Sequence, residues 1–181
     1  KCTGYKPGAL EDRYGSDGVF LYNKLNKSDM EMLELAIRCH NMYRIPQGLN
    51  RREQAFCNVL RDADKVDIFK VNIDTPLEEI YNTTTEELMK SDITDEVLEA
   101  FGEEHCILKA IRRTPADTVI GHVSLAYELV YDESVRITVE QGYLGKLMHF
   151  HSDNEETNRK MAMVREKMDS HVKKRIGKKD A

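Results

Sequence analysis

The run Phe56-Cys57-Asn58-Val59-Leu60-Arg61-Asp62-Ala63-Asp64-Lys65-Val66-Asp67-Ile68-Phe69 decides how the whole chain is read. It holds no glycine and no proline, and its apolar residues recur at helical spacing. Asn50 followed by Glu53 makes a capping-box-like start, so the run lies inside a helix that passes through Phe56, Val59, Leu60, Ala63 and Ile68. Asp62, Asp64 and Asp67 fall within six positions of that helix. If Leu60, Ala63 and Ile68 face a core, at least one carboxylate turns toward the interior or its edge, where it is costly unless a metal or a cation meets it. The alternative is a surface ladder in which Arg61 and Lys65 pair with Asp62, Asp64 and Asp67. A calcium-binding loop is excluded, because the sixth position, where such a loop turns sharply on glycine, is Asp67.

Working outward, Ser28-Asp29 caps an expected helix over 30–43 in which Leu33, Ile37 and His40 share one face. Pro46 and Gly48 end it. A His and an Asp delivered from adjacent helices, His40 and Asp64, make an oxygen/nitrogen metal site that should converge near Arg61 or Lys65. Downstream, Asp74-Thr75-Pro76 opens a short acidic helix at 77–81. Thr84 with Glu87 and Thr94 with Val97 open two more. Further helices are expected over 106–113, over the apolar stretch that Asp117 starts and that runs over 119–131, over 134–149 and over 155–176. No internal repeat or low-complexity linker occurs. The expected fold is a single all-α domain over 1–181, with 28–72 carrying the motifs, 73–181 a C-terminal helical portion and 1–27 a remnant of something upstream.

Composition narrows the function. The 181 residues carry 27 Lys+Arg against 32 Asp+Glu, a net charge of −5, which argues against a general nucleic-acid binder. Cys2, Cys39, Cys57 and Cys106 form no C-x-x-C pair, so reduced, buried thiols in a cytoplasmic protein are expected, not a disulfide scaffold or a zinc knuckle. No apolar run is long enough to span a membrane, and no charged-then-apolar segment opens the chain. The sequons at Asn26 and Asn82 therefore carry no weight. The basic end, Lys173-Lys174-Arg175 and Lys178-Lys179, reads as a solvated helix end whose cations suit the negative pole of the helix dipole.

Ala36-Ile37-Arg38-Cys39-His40-Asn41, then Ile45-Pro46, then the 56–69 run closely resemble the second half of an HD-domain phosphohydrolase. The resemblance is to bacterial HD proteins with an Ala-Ile-x-x-His-Asn helix followed by an Arg-Asp-Ala-Asp-Lys-Leu-Asp-Ile helix. It continues more weakly through Arg113-Thr114-Pro115-Ala116-Asp117, the apolar stretch to Tyr131, and Ser134. It implies an HD-like helical bundle binding one or two divalent metals (manganese, magnesium, iron or similar) that activate water to hydrolyse a phosphomonoester or nucleotide phosphate. Carried over, Asp64 matches the final metal-ligand Asp, and His40 a phosphate contact or second-metal ligand. Asn41, Arg61, Asp62, Lys65 and Asp67 match the surrounding motif as phosphate or supporting residues. The implied partners are a small phosphorylated substrate and a second copy in a homodimer, with no specific nucleic acid and no membrane.

The sequence departs from that pattern in one respect. It contains no His-Asp dipeptide, and its histidines are His40, His105, His122, His149, His151 and His171. Tyr14-Gly15-Ser16-Asp17-Gly18-Val19-Phe20 resembles the family segment after the His-Asp motif, with Gly18 where a His often stands. The expectation is an N-terminally truncated chain, which its start at Lys1 favours over a degenerate, non-catalytic HD-like binding module. With one or two ligands present, metal binding in this chain should be weak or absent. Among the other histidines, His122 reads as a satisfied core or lining residue, and His149 and His151 as surface or capping residues. Met161, Met163 and Met168 read as a packing face.

Overall fold

The computed structural model describes residues 24–177; the segments around Tyr14–Phe20 and Lys178-Lys179, and Cys2, lie outside them. Every regular element among the described residues is helical, in agreement with the all-α expectation. The contacts divide the chain into two compact units, Lys1–Cys57 and Asn58–Ala181, and the division falls inside the longest helix.

In the first unit, helix α1 spans Lys27–Cys39. It starts earlier than expected because Asn26, not Ser28, is its cap: the Asn26 side-chain oxygen accepts the Asp29 N–H at 3.0 Å. It also stops earlier, at His40 instead of near Tyr43. Its buried residues are Met32, Ala36 and Cys39, whereas Ile37 is 51% exposed, so the face expected from Leu33, Ile37 and His40 is rotated away from the one that packs. Helix α2, Arg51–Asp74, begins as the sequence indicates. Asn50 Oδ1 accepts the N–H groups of Arg52 and Glu53, and Glu53 returns a carboxylate to the Asn50 N–H at 2.9 Å. An Arg52–Asp29 ion pair at 2.8 Å joins α2 to α1 within this unit.

The second unit takes the rest of α2 and seven further helices among the described residues: α3 Leu77–Tyr81, α4 Thr85–Lys90, α5 Asp95–Gly102, α6 Pro115–Val123, α7 Asp132–Gln141, α8 Tyr143–Met148 and α9 Glu155–Ile176. Local capping sets most of their starts. Thr84 and Glu87 close a reciprocal capping box, and Thr94 caps α5. Asp117 is not the start of α6 but its third residue. Fully buried, it accepts the N–H groups of Arg113 and Thr114 and, from the start of α5, that of Thr94 at 2.8 Å. One carboxylate thus ties two helix starts together.

Two expected helices are corrected. Over 106–113 only the 3-10 turn Lys109–Ile111 forms, since the segment is half-exposed and leads directly into Pro115. The expected helix over 134–149 is two, broken at Gly142, whose φ of 73° is a left-handed conformation that glycine adopts without cost. Similarly, the apolar stretch leaves α-helical geometry at Ser124 for the 3-10 turn Ser124–Glu128. Helix α9 packs on α5, α7 and α8, and α6 on α4, α5 and α8. Phe69, Phe101, Ile120, Met161, Val164 and Met168 lie in the resulting core. Met161 and Met168 pack as expected, while Met163 faces solvent.

Candidate functional site

Helix α2 carries two stripes of helical period, and the polar one faces inward. Arg61, Asp62, Lys65 and Asn72 are buried together with Cys57 and Phe69, while Phe56, Ala63 and, at 58% exposure, Val59 face outward. The expectation that Ala63 packs into the core is therefore wrong, and Leu60 and Ile68 are only half-buried. Val59, Ala63 and Val66 instead line a shallow groove of about 510 Å³ with Tyr131, Ser134 and Ile137 of the same unit. Periodicity could not choose between the stripes, because residues 57, 61, 65, 69 and 72 share a face as well as the apolar set does.

Turning charge inward requires compensation. Lys65, 5% exposed, donates from Nζ to the Arg61 carbonyl at 3.2 Å. Burial and the nearby Arg61 charge push the Lys65 pKa down, while the carboxylates of Asp62, Glu128 and Asp64 act against that shift. Asp62, 2% exposed, spends both carboxylate oxygens on backbone: it accepts the Val130 N–H at 2.9 and 3.1 Å and the Tyr131 N–H at 3.0 Å. Of the residues expected to contact or support phosphate, Asp62 is thus a structural support. Asp64 is half-buried, and Asp67 and Asn41 are exposed.

The same turn is held from its other side. Arg175, near the end of α9, donates to the carbonyls of Leu129 and Val130 at 3.0 and 3.2 Å and pairs with Asp132 at 2.8 Å. The basic end of the chain is therefore not merely a solvated terminus; Arg175 is anchored. No local pattern marks it, because its partners lie far back in the sequence.

His40 lies in the first unit and Asp64 in the second. His40 caps the end of α1, and its Nδ1–H donates to the Ile37 carbonyl at 2.5 Å.

A second polar cluster, which the sequence did not reveal, is built around Asn72. Its Nδ2–H donates to the Ile68 carbonyl at 2.8 Å, which fixes the amide so that Oδ1 points to two donors: the Tyr81 hydroxyl at 2.9 Å and His122 Nδ1–H at 2.6 Å. His122 is thus more than a satisfied core residue, since only one ring nitrogen is used. Burial and the positive charges of Arg112 and Lys109 push its pKa down to about 4. The Arg112 guanidinium lies across Gly121, where a Cβ would come within 2.2 Å of Arg112 Cζ, and its Nη2 donates to the Ile107 carbonyl. Cys39 and Cys57 are buried and in no disulfide, and burial pushes the half-buried Cys106 thiol up. None of the three has the features of an activated nucleophile.

Among the described residues no three His, Cys, Asp or Glu side chains stand close enough to hold a metal ion together, and no helix is long and apolar enough to cross a membrane. No protein-family model, no curated protein and no solved structure matches this chain.

Proposed function

We propose that this chain belongs to a metal-dependent phosphohydrolase of HD type, acting on a phosphomonoester or a nucleotide phosphate in the cytoplasm. The observation that carries this reading is the inward polar face of α2. Two cations, Arg61 and Lys65, are buried on either side of the half-buried Asp64, although an apolar stripe on the same helix was available to pack. Burying charge costs stability unless it is paired, and for Lys65 the carboxylates of Asp62, Glu128 and Asp64 offset that cost only in part. Cations at such a position suit the negative charge of a phosphoryl group. In this reading Asp64 is a metal ligand and His40 a phosphate contact or a ligand of a second metal.

The described residues do not supply a complete metal-ligand set on their own. The experiment is hydrolysis of a panel of nucleoside monophosphates and sugar phosphates, with manganese, magnesium or iron, by the native polypeptide that carries this sequence. Asp64→Asn should abolish metal-dependent release of phosphate. Equal activity with and without Asp64 would overturn the proposal. So would the absence of any hydrolysis across the panel, which would instead favour the non-catalytic helical binding module.

A further inference from the structure

The second unit holds a pocket of about 560 Å³ between α7, α8 and the end of α9. Leu144 and Met148, buried in α8, form its floor, and the half-buried Val172 and Ile176 of α9 form one wall. The volume falls within the roughly 300–1,000 Å³ of small-molecule sites, and the lining has their character, apolar with few polar groups. Gly145 keeps the space open. It lies within α8, and a Cβ added there would meet nothing within 4 Å. Alanine is the better helix former, so packing within the chain gives no reason for a glycine at this position. An occupant of the pocket does.

Two opposite charges share the lining. Asp169 and Lys173 are both exposed and stand one turn apart on α9. An acid four residues before a lysine is the order that favours a pair on a helix. No ion pair joins these two, however, and neither side chain bonds to any other described residue. A carboxylate and an ammonium are thus left open at the mouth of an apolar pocket. A fatty acid would meet Lys173 and be repelled by Asp169, and an alkylamine would do the reverse. A head that carries a phosphate and an ammonium on one short linker meets both charges at once, and a single alkyl chain suits the apolar lining.

We propose that this pocket takes up, from solution, a single-chain amphiphile with a phosphoethanolamine head. The chain lies over Gly145 against Leu144, Met148, Val172 and Ile176. The phosphate faces the Lys173 ammonium, and the head's own ammonium donates to the Asp169 carboxylate. Burial of the chain supplies most of the affinity, and the two exposed ion pairs select the head. The pocket includes neither Asp64 nor His40, so it does not rest on the phosphohydrolase reading.

The test is methyl NMR of the full chain, titrated with lauroyl lysophosphatidylethanolamine below its micelle threshold. The methyl resonances of Met148, Val172 and Ile176 should shift and saturate. Lys173→Ala and Asp169→Ala change exposed side chains and leave the fold in place; each should weaken lysolipid binding about two- to fivefold. Lauric acid separates the two charges: Lys173→Ala should weaken its binding, and Asp169→Ala should tighten it. Gly145→Leu, which fills the open space, should weaken lysolipid binding roughly tenfold or more. Unmoved methyl resonances would overturn the proposal. So would equal affinity for dodecanol, unchanged affinity in either charge variant, a response to phosphatidylethanolamine vesicles alone, or a dimer of the chain that closes the pocket against the lysolipid.

Discussion

Asp62 and Arg175 hold opposite sides of one turn. The carboxylate takes the N–H groups of Val130 and Tyr131, and the guanidinium reaches the carbonyls of Leu129 and Val130. The three residues Leu129, Val130 and Tyr131, between the 3-10 turn and α7, thus have two N–H groups and two carbonyls met by side chains from α2 and α9. This is how an extended connection can lie against a packed unit without leaving buried amides unpaired.

Asp62→Ala should therefore cost about 2–4 kcal/mol, since it leaves two backbone N–H groups with no acceptor. Asp62→Asn keeps one acceptor oxygen and should cost less. Urea unfolding of the two variants gives the comparison. Equal, small losses would show that the turn finds other partners.

Asp64→Asn should behave differently. The residue is half-buried and its side chain accepts no backbone hydrogen bond among the described residues, so the change in stability should stay below about 1 kcal/mol. Chemical denaturation of this variant beside Asp62→Ala separates a residue held for function from one held for structure. A loss as large as that of Asp62→Ala would make Asp64 a structural residue.

The His122 ring makes stability depend on mildly acidic pH. Its folded pKa of about 4 lies below its usual 6.5, so between those values the unfolded chain binds more protons than the folded one. Stability should consequently be full above about pH 6.5, fall as pH drops toward 4, and lose no more through this group below that. The span corresponds to at most about 3 kcal/mol. Thermal unfolding from pH 7 to pH 4, compared with His122→Phe, isolates the contribution: the variant should show a shallower slope.

Gly121→Ala tests the coupling between Arg112 and His122. The new methyl would sit within 2.2 Å of Arg112 Cζ, so the guanidinium must move and release the Ile107 carbonyl. Alanine's better helix propensity, worth about 1 kcal/mol, partly offsets that loss, and net stability should change little. The sensitive readout is the His122 pKa, which should rise as the Arg112 charge withdraws. An unchanged pKa, measured by NMR titration, would show that burial and Lys109 keep the ring neutral without Arg112.

What the sequence made legible was local. Asn50 with Glu53, Thr84 with Glu87, and Thr94 with Val97 were readable as helix starts because each cap is satisfied within three residues. The break at Gly142 is not legible because both flanking segments place apolar residues at helical spacing, and a single left-handed residue leaves that spacing nearly intact. The inward face of α2 was missed for a different reason. Whether Val59 or Lys65 points into the core depends on the turn at Val130 and Tyr131, more than sixty positions further along the chain. Of the candidate site, the motif residues on α2 were visible as a cluster, but their roles were not. Asp62 serves the backbone, Asp67 lies exposed, and the cluster of Asn72, Tyr81 and His122 joins residues too far apart in sequence to show a local pattern.

The grip that Asp62 and Arg175 share also sets an order of events in synthesis. While the chain is emerging from the ribosome, α2 is available long before α9. Until residue 175 is free of the exit tunnel, Asp62 can take the N–H groups of the turn, but the Leu129 and Val130 carbonyls still lack the Arg175 guanidinium. Completion of the second unit thus waits for Arg175 near the end of α9, and a nascent chain halted after α8 would be held by a fastening closed on one side only.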